Sequence, residues 1–348
     1  MNFDLRPHTI LLTVAGSRAY GLDRPDSDVD LKGVAVPPAA WFHGFLREFE
    51  QAEDVSDFRG VLTPGEAAVV DRTRLEGVVY DIRKFFGLAT ACNPNILDVL
   101  FCRDEEVRVT SAAGARLRAH RALFVSGAAR HTFGGYAAAQ LKRIRGHRKW
   151  LLDPPTHPPT RGEFGLPEHT LLPADQVNAV NAGVDKVLGG LGQSADEATW
   201  LAAARRFGLD DNLVYVMVQE RAYASAARHY RQFETWRKSR NPARAAAEAK
   251  FGYDTKHAAH LVRLLRMATE ILATGEVRVW RADREELLAV RDGAWPYDAL
   301  VGWAEQQDAE LETLLRSGPI AVPAQPDREA IDRLCVELVE QVLASRER

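Results

Sequence analysis

The sequence predicts an α+β protein, with a small mixed-sheet domain over residues 1–110 and a mainly helical domain over 111–348. Three observations carry this. Short apolar, β-branched runs lie before residue 111, at 9–14 and 77–82. From Ser111 onward apolar residues recur at helical spacing, as in Leu261, Leu264, Leu265 and Ala268. A Pro-rich break at 153–159 interrupts helical text on both sides.

The first run, 9–14, is bounded by polar residues and reads as a buried strand. Gly16-Ser17 breaks it, because glycine permits close backbone approach and a short helix can start there. Free N–H groups at such a start favour an anion, Ser17 adds a hydroxyl donor, and Arg18 adds a charge. Arg24-Pro25-Asp26 reads as a loop, and Asp28-Val29-Asp30-Leu31 opens a second strand. Alternation puts Asp28 and Asp30 on one face and Val29 and Leu31 on the other. Two carboxylates on one face need a cation or protons, and Mg²⁺ shared with substrate phosphates is the natural partner. A Gly-Ser turn or an Asp-x-Asp pair alone is common in turns and solvated loops. Strand, turn, short helix, loop, then a strand carrying Asp-x-Asp points to phosphoryl chemistry.

The rest of the chain is plainer. Residues 41–72 read as irregular and acidic, and 105–110 as an edge strand. Helices are expected at 130–152, 174–191, 195–207, 211–238, from Pro242, at 255–274, 297–316 and 327–345. Asp283 with Glu286 reads as a capping box. The 348 residues carry 46% hydrophobic and 27% charged residues and a formal charge of −3, which excludes a uniformly basic surface. Cys92, Cys102 and Cys335 show no paired metal-ligand spacing. No apolar run approaches transmembrane length, and Met1-Asn2-Phe3-Asp4 does not open a signal peptide, so a cytoplasmic location without membrane partners is expected.

The segments Gly16–Gly21 and Ser27–Asp30 resemble the nucleotide-binding motif of the DNA polymerase β-type nucleotidyltransferase superfamily. Further segments are similar to a bacterial and phage family of predicted nucleotidyltransferases linked to RNA repair: 81–86 through 93–97, 163–169, 253–257, 261–266 and 283–288. The resemblance spans roughly residues 8–293, with unmatched stretches between. It implies two metal ions, Mg²⁺ or Mn²⁺, and an NTP, ATP being the expected one. The nucleoside monophosphate is transferred to an acceptor hydroxyl, expected on an RNA end, and pyrophosphate is released. Asp28 and Asp30 would hold the metals. A third carboxylate comes from a neighbouring strand in that superfamily, and Asp81, at the end of 77–82, is the candidate. Asp81 also suits the N-cap of the following helix, and Glu76 and Asp71 are the fallbacks. Gly16, Ser17, Arg18, Lys256 and His257 are the expected nucleotide contacts.

Two basic clusters are candidate RNA contacts. One contains Lys142, Arg143 and Arg145 and ends at Trp150; the other holds Arg237 and Lys238 among Tyr230, Phe233 and Trp236. A solvated basic helix face with aromatics packed inward gives the same text. His257 and His260 without a nearby acid make a thin zinc site. Adenylylation of a protein or small molecule, and a non-catalytic nucleotide- or RNA-binding role, stay open as alternatives.

Overall fold

The computed structural model describes residues 3–25, 27–71, 73–170, 172–189, 197–206 and 208–346. Met1, Asn2, Asp26, Arg72, Leu191, Ala195 and Phe207, each part of an expectation above, lie outside the described residues. The chain divides into two compact units: Met1–His147 with Ala247–Arg348, and Arg148–Ala246. The boundary read from sequence at residue 110 falls inside the first.

The first unit holds a five-stranded mixed sheet in the order β3-β4-β2-β1-β5. Its strands are β1 (Thr9–Ala15), β2 (Val29–Ala35), β3 (Gln51–Ala52), β4 (Leu75–Asp81) and β5 (Val107–Thr110). β1 runs antiparallel to β2 and β5, β2 runs parallel to β4, and β3 is antiparallel to β4. β5 is the expected edge strand. β1 is buried throughout, as an apolar run between two neighbours should be.

Alternation sorts β2 onto two faces. Leu31 and Ala35 join Leu12, Val14, Val55, Phe58 and Val79 in a small core. Val34 and Val36 join the larger core, formed with helices Ile82–Thr90, Pro94–Phe101, Ala112–Ala119 and Thr255–Thr274. Helix Thr255–Thr274 is buried on more than the expected face: Val262, Met267 and Ile271 are covered as well as Leu261, Leu264, Leu265 and Ala268. Each such side chain stabilises by about 1.5–3 kcal/mol relative to exposure, so the late helices are part of the same core as the sheet.

Residues 41–72 are more regular than expected. They contain β3 and helix Pro64–Val70, which opens with a capping box between Thr63 and Glu66. Asp283 does stand at a helix N-cap but caps nothing with its side chain; its carboxylate accepts from Arg281 and Arg266 instead.

The second unit is helical, with Ala174–Val187, Glu197–Arg206 and Asp211–Ser239 around Val184, Trp200, Ala203, Ala204, Val214 and Met217. Arg161 donates to Glu220 at 3.0 Å, and Thr170 adds a bond to the same carboxylate. No helix among the described residues is long and apolar enough to cross a membrane.

Gly33 sits mid-β2, where a Cβ would stand 2.5 Å from the Leu11 carbonyl oxygen and 2.8 Å from a Leu12 methyl. Backbone cannot yield there cheaply. Gly33→Ala is expected to lower unfolding free energy by about 1–3 kcal/mol, measured by urea denaturation with β-sheet circular dichroism.

Candidate active site

β1 ends at Ala15, and helix Gly16–Tyr20 begins at once. Ala15 pairs with Asp30 across β1–β2, and Asp30 pairs with Glu76 across β2–β4. The Gly-Ser turn, Asp30 and Glu76 therefore line up across three adjacent strands. Paired residues of neighbouring strands share a face about 4.8 Å apart. Gly16 has φ of +65°, and a Cβ there would stand 2.0 Å from Asp30 Oδ2. Only glycine fits both the backbone and the close approach.

Asp28 lies just before β2 and is exposed, while Asp30 is half-buried. Burial pushes the Asp30 carboxyl above its usual range, the Glu76 and Asp28 charges push the same way, and Lys32 and Lys256 oppose. Asp28, Asp30, Glu76, Lys32 and Lys256 thus act on one locus. A groove of about 450 Å³ opens over it, lined by Asp30, Lys32, Gln51, Glu53, Glu76 and Tyr80 among others.

Asp81 is not brought to this place. It pairs with Ala35, five residues along β2 from Asp30, which is about 16 Å at 3.3 Å per residue. An odd separation also turns it to the opposite face. Asp81 is 2% exposed and caps helix Ile82–Thr90, accepting from the Arg83 N–H at 2.8 Å and from Arg83 Nε at 3.1 Å. Asp71 is engaged by Arg59. Glu76, named only as a fallback, is the acid that the register sets beside Asp30; it too has a cation partner, Arg74 at 3.2 Å.

Arg18 braces the loop leading to Asp28: it donates to the carbonyls of Ser27 at 2.9 Å and Asp28 at 3.3 Å and pairs with Asp23. Ser17 makes no side-chain hydrogen bond among the described residues. His257 faces Asp254 and His147.

Behind the carboxylates lies a polar wedge that the sequence did not disclose. Lys32, on the Asp30 face of β2, donates to Asn95 Oδ1 at 2.6 Å, and burial pushes its ammonium down. Tyr20 donates to buried Asp98. The Arg263 guanidinium stacks 3.7 Å over the Tyr20 ring. Arg266, by contrast, pairs with acids, Asp283 and Glu286.

The basic clusters are partly occupied. Arg145 pairs with Glu305; Lys142 and Arg143 are exposed. Arg237 and Lys238 both pair with Glu234. Trp150, Phe233 and Trp236 pack against one another with ring centroids 5.2–5.9 Å apart, and Trp150 donates to His229.

The part of the chain that holds the sheet has a family match. Residues 5–151 match the family described as RlaP, the RNA repair pathway DNA polymerase beta family, and the resemblance read from the sequence holds over that span. That family supports nucleotidyltransferase activity in RNA repair. No curated protein and no solved structure gives a match.

Two pH effects follow. A raised carboxyl is favourable while protonated, so its contribution is present below the usual 3.8 and is lost as pH rises through the folded value. Asp30→Asn is therefore expected to raise the thermal midpoint at pH 7 by about 2 °C. The gap should close towards pH 3.5 in differential scanning fluorimetry of both proteins. His260 is the reverse case: burial, helped by Arg263, holds it well below its usual 6.5. Stability is complete above 6.5 and falls as pH drops below it, because the unfolded chain takes up the proton first. His260→Gln should flatten the stability profile below pH 6.5 in urea titrations.

Proposed function

We propose that the protein is a divalent-metal-dependent nucleotidyltransferase. It moves a nucleoside monophosphate from an NTP, ATP in the first instance, to a hydroxyl of an RNA end and releases pyrophosphate. The alignment of Gly16, Asp30 and Glu76 across β1, β2 and β4 is the observation that carries this reading. Three carboxylates around one locus, with burial opposing charge on Asp30, form a hard-oxygen donor set that suits Mg²⁺ or Mn²⁺. Asp28, Asp30 and Glu76 are the residues that would hold such ions, and Glu76 replaces Asp81 in that role. Bound there, the metal supplies neutralisation of phosphate charge and a lowered pKa for an attacking hydroxyl.

The chain's own groups have separable tasks. Gly16 lets the turn approach the carboxylate. The Ser17 hydroxyl is a donor for a phosphate oxygen. Lys256, within electrostatic reach of Asp30, supplies positive charge towards the triphosphate. Arg18 holds the loop that sets Asp28. Asn95 fixes the Lys32 ammonium beside the carboxylates. Residues 1–110 carry the chemistry on this reading, and the helical remainder binds the acceptor. Exposed Lys142 and Arg143 are the better placed of the basic residues for RNA phosphates, since Arg237 and Lys238 share Glu234. The reading implies work on cytoplasmic RNA.

The test is label transfer from each α-labelled NTP to RNA with free 3′ ends, in Mg²⁺ or Mn²⁺. Wild type should label RNA, and Asp28→Asn/Asp30→Asn should not. Glu76→Gln should lose on the order of a hundredfold or more, as removal of a ligand does. Asp81→Asn, which leaves a side-chain oxygen for the cap, should keep its stability to within about 1 kcal/mol and transfer label. Activity lost in Asp81→Asn and kept in Glu76→Gln would overturn the carboxylate assignment. Label on protein or a small molecule would overturn the RNA acceptor, and NTP binding without transfer would overturn catalysis.

A further inference from the structure

A second cluster of ligating groups stands apart from the carboxylates on β2 and β4. His147, Asp254 and His257 present ligand atoms that all lie within 4.8 Å of one another. His147 comes from helix Ala128–Leu152. Asp254 is the N-cap of helix Thr255–Thr274, and His257 lies one turn into it. Asp254 stands three residues ahead of His257 in the sequence, and the fold adds the distant His147.

The chemistry of Asp254 is what demands an explanation. The residue is 2% exposed. Its Oδ1 accepts the His257 N–H at 3.0 Å. Its Oδ2 is buried and makes no hydrogen bond among the described residues; it stands 3.5 Å from His257 Nε2. A buried carboxylate oxygen without a donor is costly. A second acid, Glu248, is equally buried and sets Oε1 3.6 Å from His147 Nδ1. The two imidazoles meet edge to face with centroids 5.8 Å apart.

The 3.5 Å between Asp254 Oδ2 and His257 Nε2 is long for a hydrogen bond. It suits neighbouring ligands of a four-coordinate ion, where bonds of about 2.0–2.2 Å at tetrahedral angles put donors roughly 3.3–3.6 Å apart. Imidazole with carboxylate selects a borderline first-row ion over Mg²⁺. We propose that His147, Asp254 and His257, with Glu248 beside them, form a zinc-class divalent site distinct from the Asp28, Asp30 and Glu76 carboxylates. All four residues belong to the first compact unit. The ion there ties helix Ala128–Leu152 to the start of helix Thr255–Thr274, segments far apart in sequence. Its role is structural: these are protein ligands drawn from helix walls, and two of the acids are buried.

The experiment uses the full chain carrying Asp28→Asn/Asp30→Asn, stripped with chelator and titrated with Co²⁺ and then Zn²⁺. Removing those carboxylates keeps this result independent of the transferase reading. One equivalent of Co²⁺ per chain, with the intense visible bands of four-coordination and displacement by Zn²⁺, is expected. His147→Gln or His257→Gln in that background should weaken binding on the order of a hundredfold or more. No saturable Co²⁺ binding in the parent, or unchanged binding in both histidine variants, overturns the site. If neither histidine variant folds by circular dichroism, the parent's spectrum decides: four-coordinate bands support the site, and their absence overturns it.

Discussion

The contact between the Gly16 backbone and the Asp30 carboxylate governs the end of the sheet. Gly16 holds φ +65°, which favours glycine, and a Cβ there would stand 2.0 Å from Asp30 Oδ2, so any other residue would have to turn the carboxylate aside. That turn closes over the start of β2, and the parallel pairing of β2 with β4 then decides which acid faces Asp30. One steric constraint thus links the Gly-Ser motif, the Asp-x-Asp motif and Glu76. Moving any of the three by one register position would send a carboxylate to the opposite face.

Rigidity behind this arrangement comes from polar groups inside the core. Tyr20 ends the short helix begun at Gly16 and is anchored by Asp98 and by the stacked Arg263. Lys32 is tied to Asn95 on the same helix, Pro94–Phe101, that carries Asp98. Buried polar pairs contribute modestly to net stability, but leaving one partner alone is expensive. The wedge therefore resists sliding of helix Thr255–Thr274 against the turn. Apolar packing alone would allow such a shift at lower cost, because it is non-directional.

What the sequence disclosed follows from range. The strand at 9–14, the Gly-Ser break and the Asp-x-Asp pair are local patterns; β1 covers the first, a helix starts at Gly16, and β2 starts at Val29, one residue after Asp28. Helix Thr255–Thr274 was legible from its apolar spacing, with Asp254 ahead of it. The Thr63-to-Glu66 capping box is equally local, but the irregular, acidic text around it gives no periodic pattern to set it off. Asp81 is a different case. An acid at a strand end before a helix looks the same whether it faces a metal or caps the helix. Only the pairing of β2 with β4, which no local pattern contains, separates the two by parity and by five residues of strand. His147 was beyond reach altogether, since its neighbours Asp254 and His257 lie a hundred residues away in the chain.

The charge balance at Asp30 bears on the chemistry as well. Asp28 and Glu76 raise its carboxyl and Lys32 and Lys256 lower it, but burial is the largest influence and the net direction is upward. The lysines oppose that shift without reversing it; Lys32 is also held by Asn95, and Glu76 has its own partner in Arg74 at 3.2 Å. On the proposed reading, a triphosphate brought to this locus would add negative charge beside three carboxylates. Like charges at close range in a half-buried groove repel more strongly than in bulk water. On the proposed reading, nucleotide and divalent cation would each favour the other's binding beside Asp28, Asp30 and Glu76.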